Sequence, residues 1–170
     1  MLPAVISIQN DITSANAISS DSSIAALSYI GTAAWVFWIN PSGAVEAANG
    51  ASDTWDVSKI AQPGAAAVGG GIAALSRQSN TMELWYTSPT GALNGAYWYE
   101  GQASWTNYNI APAGSAAPGS RIAAVSRANT TMEIWYVGAG GSMNGAYWYE
   151  GQGPWKTYTI VGPNIESQYW

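Results

Sequence analysis

One sequence is written twice between residues 72 and 161. IAALSRQSNTMELWYTSPTGALNGAYWYEGQASWTNYNIA opens at Ile72, and IAAVSRANTTMEIWYVGAGGSMNGAYWYEGQGPWKTYTIV opens at Ile122. A third, degraded copy, IAALSYIGTAAWVFWINPSGAVEAANG, starts at Ile24. A repeat of this length that reads as strands specifies a propeller blade or a solenoid coil, because each unit is too thin to bury its own apolar face. Several similar sites on one molecule, the layout of a multivalent binder, follow from the same repetition.

Each copy has the same grammar. A first strand, IAALS or IAAVS, leads through a short polar turn into TMELWY or TMEIWY, rich in large apolar residues. A glycine turn ending at Gly91 or Gly141 is a hairpin signal. The third strand is ALNGAYWY or SMNGAYWY, and after Glu-Gly-Gln or its equivalent the fourth is SWTNYNI or PWKTYTI. No amphipathic helical stripe of useful length exists. Four short antiparallel strands per unit predict an all-β fold of propeller blades. Residues 24–71 form a degenerate blade 1, 72–121 blade 2, and 122–170 blade 3 with a C-terminal tail. Residues 1–23 are an N-terminal strand (about Val5 to Gln9) and linker, a candidate clasp. Alternation puts Met82, Leu84 and Tyr86 on one face of the second strand and Glu83 and Trp85 on the other.

Composition narrows the function. Five Lys and Arg against ten Asp and Glu give a net charge of −5, the wrong sign for nucleic acid or an anionic membrane. Cys and His are both absent, which removes a disulfide framework, a thiolate metal site and the commonest general base. The aromatics are ten Trp and ten Tyr with one Phe, and such amphipathic rings suit partly wet recognition surfaces. No signal-peptide pattern or membrane-length apolar run is visible, so the expected location is the cytoplasm or outside the cell by a route the sequence does not encode.

The repeat resembles the fungal fucose-lectin superfamily of β-propellers, the Aleuria type, over residues 24–161. That resemblance implies sugar pockets between adjacent blades. The Aleuria pattern has an Arg in the second strand and a Glu in the third, where this chain has Glu83 and Glu133, and Gly95 and Gly145. The closer likeness is to the Agrocybe-type mushroom lectins specific for terminal N-acetylglucosamine. It is carried by Ser76-Arg77, Asn80, Met82-Glu83, Trp85, Gly91 and Ala96 to Gly101, and by Ser126-Arg127, Met132-Glu133, Trp135, Gly138, Gly141-Ser142 and Ala146 to Gly151. It implies a lectin preferring terminal N-acetylglucosamine. Separately, no cofactor and no metal are expected, although carboxylates and carbonyls alone can hold calcium. A six-bladed ring of that type needs about twice as many repeats.

Candidate ligand residues are those that recur. Arg77 and Arg127 offer a guanidinium fork to sugar hydroxyls or an acetamide oxygen, or else pair structurally with Glu83 and Glu133. The two glutamates accept hydroxyl hydrogen bonds. Asn94 and Asn144, each before Gly, serve a sugar or only turn chemistry. Trp85 and Trp135 are blade core or sugar platforms. Among Tyr97, Trp98 and Tyr99, and Tyr147, Trp148 and Tyr149, at least one ring per blade is buried while another can stack on a pyranose. Trp105 and Trp155 anchor the last strand or touch sugar. Blade 1 has Tyr29, Trp35 and Glu46 in place of Arg77, Glu83 and Asn94, and is expected to bind nothing or to complete a neighbour's pocket.

Three blades do not close a ring, and open strand edges invite aggregation. Two chains are therefore expected to close one six-bladed propeller. The alternatives are a seven-bladed closure using the N-terminal segment, or a longer chain. The function these features favour is a multivalent, non-enzymatic lectin. The other readings are a fucose-binding propeller and a protein-interaction propeller. A glycosidase is disfavoured because identical carboxylates in every blade do not build one asymmetric centre.

Overall fold

The computed structural model describes residues 17–29, 33–51 and 54–163. The expected N-terminal strand near Val5 to Gln9 and the tail from 164 onward lie outside the described residues. Every regular element is a strand: β1 (Ala25–Tyr29), β2 (Ala33–Ile39), β3 (Val45–Ala51), β4 (Thr54–Ala61), β5 (Ile72–Leu75), β6 (Thr81–Thr87), β7 (Leu93–Tyr99), β8 (Thr106–Ala111), β9 (Ile122–Val125), β10 (Thr131–Val137), β11 (Met143–Tyr149) and β12 (Lys156–Val161). They form three four-stranded antiparallel meanders, β1–β4, β5–β8 and β9–β12, which are three blades of a β-propeller.

The register realises the alternation in the sequence. Met82 opposes Trp98, Leu84 opposes Ala96 and Tyr86 opposes Asn94 on one face, while Glu83 opposes Tyr97 and Trp85 opposes Gly95 on the other. Blade 3 repeats this residue for residue, with Met132 opposite Trp148 and Glu133 opposite Tyr147. The hairpin glycine is required at Gly91, whose φ of 76° is a left-handed conformation. A Cβ there would also lie 2.3 Å from the Ala116 carbonyl oxygen.

That close approach is how blades are joined. The linker after blade 2 donates Gly114 N–H to Thr90 and Ala116 N–H to Gly91, each at 2.9 Å, and then Ala117 N–H to Val137 of blade 3 at 2.9 Å. The preceding linker does the same through Gly64 to Ser42, Ala66 to Gly43 and Ala67 to Thr87. Each linker is thus tied to the hairpin behind it and the strand ahead of it, which fixes neighbouring blades at one angle.

Both faces of blade 2 are buried, as expected of a blade between two others, and each face has its own core. Phe37, Ile39, Val45 and Ala47 of blade 1 pack on Ile72, Leu84, Tyr86 and Ala96 of blade 2. Ala73, Trp85 and Leu93 of blade 2 pack on Ile122, Met132, Ile134, Tyr136 and Ala146 of blade 3. β6 is buried along its whole length, whereas its counterpart β10 is buried only at alternate residues, because none of the described residues packs on the far face of blade 3.

Candidate functional site

A cavity of about 260 Å³ opens between blades 2 and 3. Blade 2 lines it with Glu83, Tyr97, Tyr99 and Tyr108, and blade 3 with Met132, Trp148, Pro154 and Trp155. Strand periodicity explains the set. Glu83, Tyr97 and Tyr108 share the forward face of blade 2, and Met132 and Trp148 share the rear face of blade 3.

The polar element of the cavity is the Glu83 carboxylate. It accepts a hydrogen bond from Arg77 Nε at 2.9 Å and a longer one from Thr81 Oγ1 at 3.4 Å. A carboxylate has about four lone-pair sites, so acceptor capacity remains for a ligand hydroxyl or amide N–H. Burial raises the Glu83 pKa above its ordinary value, against the pull of Arg77 and Thr81. For Arg77 itself, burial opposes the charge, but hydrogen bonds to Tyr99 and Glu83 outweigh it and the pKa rises.

Arg77 is committed to the junction rather than to the cavity. Its side chain is 4% exposed. It donates from Nη1 to the Asn129 carbonyl of blade 3 at 2.6 Å and from Nη2 to Tyr99 Oη at 3.2 Å. Its guanidinium lies 5.1 Å from the Trp148 ring centroid and Nη1 stands 3.7 Å from the Glu150 carboxylate. It therefore positions Glu83 and two aromatic walls, a role the sequence left open between ligand and ion pair.

The aromatic walls form one connected group. Tyr97 stands 5.1 Å from Tyr99 and 6.0 Å from Tyr108 between ring centroids, and Trp155 meets Trp85 edge-on at 5.9 Å and lies over Tyr108 at 6.5 Å. Trp85 Nε1 donates to Tyr108 Oη at 3.1 Å. Burial pushes the Tyr108 phenol up, so it stays protonated at neutral pH.

The structure separates residues that the repeats made look equivalent. Glu83, Tyr97, Trp148 and Trp155 meet in the cavity. Trp85 does not: it is fully buried against Trp155 and Tyr108, in the core position that was one of its two readings. Asn94 is likewise moved away. It stands four residues along β7 from Trp98, roughly 13 Å at strand rise, beside a bulge where Asn109 donates to its Oδ1 at 3.0 Å. Asn144 lies in a separate polar groove with Ser115, Tyr136 and Thr159. Trp98 is on the face of blade 2 turned to blade 1, and its Nε1 donates to the Gln102 carbonyl at 2.9 Å. Trp105 packs edge-on against Trp35 and Phe37 of blade 1, at 6.4 and 5.8 Å.

That last contact shows why the junction of blades 1 and 2 differs. Trp35 occupies the position of Glu83, so an indole stands where the other junction has a carboxylate. Arg127, Glu133, Trp135 and Tyr147 are arranged like their blade 2 counterparts but on the open face of blade 3, where the Arg127 side chain is 64% exposed. Their pairing is the same: Arg127 to Glu133, and Trp135 Nε1 to Tyr158 Oη at 3.0 Å. The sequence reading left Tyr99 open as one of three rings and did not weigh Tyr108, Met132 or Pro154 as ligand residues. The first three recur at fixed blade positions, which is a readable signal, whereas Pro154 replaces Ser104 and has none. No group of three or more His, Cys, Asp or Glu gathers as a metal site among the described residues.

Neither the protein-family models nor the curated proteins contain a match to this chain. Solved structures do resemble it. A lectin from Burkholderia pseudomallei superposes with a TM-score of 0.77 at 24% identity, over 93% of this chain and 44% of its own. AofleA from Arthrobotrys oligospora gives 0.72 at 23% identity, over 86% of this chain and 44% of its own. The Aleuria aurantia lectin, a six-bladed β-propeller with a fucose recognition mode, gives 0.64 at 18% identity, over 83% of this chain and 47% of its own. The likeness establishes the propeller fold, and the chain spans about half the length of these neighbours.

Proposed function

We propose that this chain is a carbohydrate-binding lectin, non-enzymatic, with its complete sugar site in the cavity between blades 2 and 3. The observation that carries the reading is one buried carboxylate with spare acceptor capacity, facing aromatic rings from two blades in a space of about 260 Å³. Drug-sized ligands occupy roughly 300–1,000 Å³, so this cavity suits a single sugar. A pyranose has the matching chemistry: an apolar face for Trp148 or Trp155, and an equatorial donor for Glu83.

The sugar we assign is terminal N-acetylglucosamine. The repeat around Arg77 and Glu83 resembles lectins of that specificity. An acetamide would donate its N–H to Glu83 and lay its methyl against Met132. The guanidinium of Arg77 is occupied by Asn129, Tyr99 and Glu83, so the cavity favours ligand donors over ligand acceptors. Fucose is the second reading, favoured by the fucose recognition of the Aleuria aurantia lectin. Single sites for small polar ligands are weak, and several on one rigid body gain avidity.

A glycan array followed by calorimetry tests this, using the wild type, Glu83→Gln and Trp148→Ala. Hydrogen bonds to a charged group contribute about 1.5–3 kcal/mol, so Glu83→Gln should weaken terminal N-acetylglucosamine binding by roughly 10–100-fold. Trp148→Ala should also weaken it. A signal confined to fucosides moves the assignment to the second reading. A blank array overturns the lectin reading and favours a protein-binding propeller.

A further inference from the structure

The two ends of the chain carry complementary halves of one blade junction. Inside the molecule, Ile72 at the start of blade 2 and Ile122 at the start of blade 3 are 5% and 9% exposed, each in the core shared with the blade before it. Ile24 holds the same place at the start of blade 1 and is 61% exposed. At the other end, the open face of blade 3 has an apolar groove of about 360 Å³ lined by Ala123, Trp135, Val137 and Met143. The counterparts of these four in blade 2 are Ala73, Trp85, Thr87 and Leu93, of which Ala73, Trp85 and Leu93 share a buried core with Ile122. The knob and the hole thus recur twice within the chain and stand open once each. Val137 and Met143 are 44% and 46% exposed.

We propose that the open face of blade 3 receives blade 1 of a second copy of this chain, and that the contact completes a second sugar cavity around Glu133. A three-blade unit covers 47% of the length of a six-bladed propeller, so two copies related by a two-fold axis close one ring with two such contacts. The middle of the blade 1 face is already filled, with Trp38 and Ala48 at 1% and 0% exposed. The docking surface is therefore the exposed Ile24, Ala34 and Val57. Glu133, Tyr147, Tyr149 and Tyr158 stand ready on blade 3 as Glu83, Tyr97, Tyr99 and Tyr108 do on blade 2. Among the described residues nothing stands opposite them, and a copy would supply that wall.

That wall differs from the one within the chain. Where blade 3 supplies Met132 and Trp148, blade 1 has Ala34 and Gly50, with the Trp55 ring lying over Gly50. The junctional cavity thus has the Trp55 indole over Gly50 where the other has the Trp148 side chain. It takes a neutral glycan of the same class. With the junction of blades 1 and 2 occupied by Trp35, the closed ring has four sugar cavities of two kinds. The cavity half of this inference rests on the lectin reading, whereas the docking half does not.

Sedimentation equilibrium and calorimetry separate the two. Ile24→Asp changes an exposed side chain, so the blades should fold as before by circular dichroism. The wild type should sediment at twice 17.8 kDa and Ile24→Asp at 17.8 kDa. With methyl N-acetylglucosaminide and methyl fucoside as probes, the wild type should show two sites per chain and Ile24→Asp one. Glu133→Gln should lose one site while keeping the doubled mass. A monomeric wild type, or an unchanged mass for Ile24→Asp, overturns the docking. A doubled mass with one site per chain overturns the junctional cavity. Binding of neither probe removes the lectin reading and the second cavity with it, while the masses still decide the docking.

Discussion

Glu83→Gln and Glu133→Gln are one substitution made at two copies of one position, and the structure assigns them different costs. Arg77 is 4% and Arg127 64% exposed, although both pair with the glutamate six residues on. Removing one partner of a buried ion pair costs about 3–5 kcal/mol, because the other charge stays buried without compensation. The amide that Glu83→Gln introduces would still offer a carbonyl oxygen, and Asn129 and Tyr99 would still accept from the guanidinium, which places the cost near the lower end, about 3 kcal/mol. The exposed pair contributes about 0.2–1 kcal/mol. At roughly 2–4 °C per kcal/mol for a domain of this size, the melting midpoint should fall about 6–12 °C for Glu83→Gln and at most about 4 °C for Glu133→Gln. Both variants should be compared by calorimetry in the Ile24→Asp background, where the blade 3 face stays open. Equal shifts, or a larger one for Glu133→Gln, would refute the claim that the neighbouring blade makes the difference.

Gly95→Ala should destabilise the chain by about 1–3 kcal/mol and weaken sugar binding. The new Cβ would stand 2.4 Å from the Tyr108 ring, displacing a cavity wall and its bond to Trp85, and urea denaturation with a binding isotherm would read both. The raised pKa of Glu83 has a definite sign in stability: the folded chain holds that proton to higher pH than the unfolded one. Its contribution is complete below the unfolded value of 4.5 and is lost as pH rises through the folded value. The stability of the wild type relative to Glu83→Gln should therefore decline with rising pH above that point and then level off, and a rise instead would show that the Arg77 pairing outweighs burial.

Much of the fold was legible in the sequence because it is local. Period-two alternation fixed which residues share a face, and Gly91 and Gly141 marked hairpins that only a left-handed residue can close. Of the candidate site, Glu83, Tyr97, Trp148 and Trp155 were selected as repeats and do meet in one cavity, yet they come from two blades, and no periodicity within a blade pairs them. Trp85 and Asn94 repeat equally well and stand elsewhere, since repetition marks core and bulge positions as firmly as cavity walls.

The sequence by itself determined the blade: four strands, their facing, their turns, and a chemistry of Trp, Tyr and carboxylate without His or Cys. Only the tertiary structure decided which copy of each residue is buried, engaged or open. Arg77 and Arg127 occupy closely matching strings, and one is sealed under Asn129 and Trp148 while the other faces solvent. The physical reason is that a blade buries its faces on its neighbours, so the environment of each residue is set by the blade beside it.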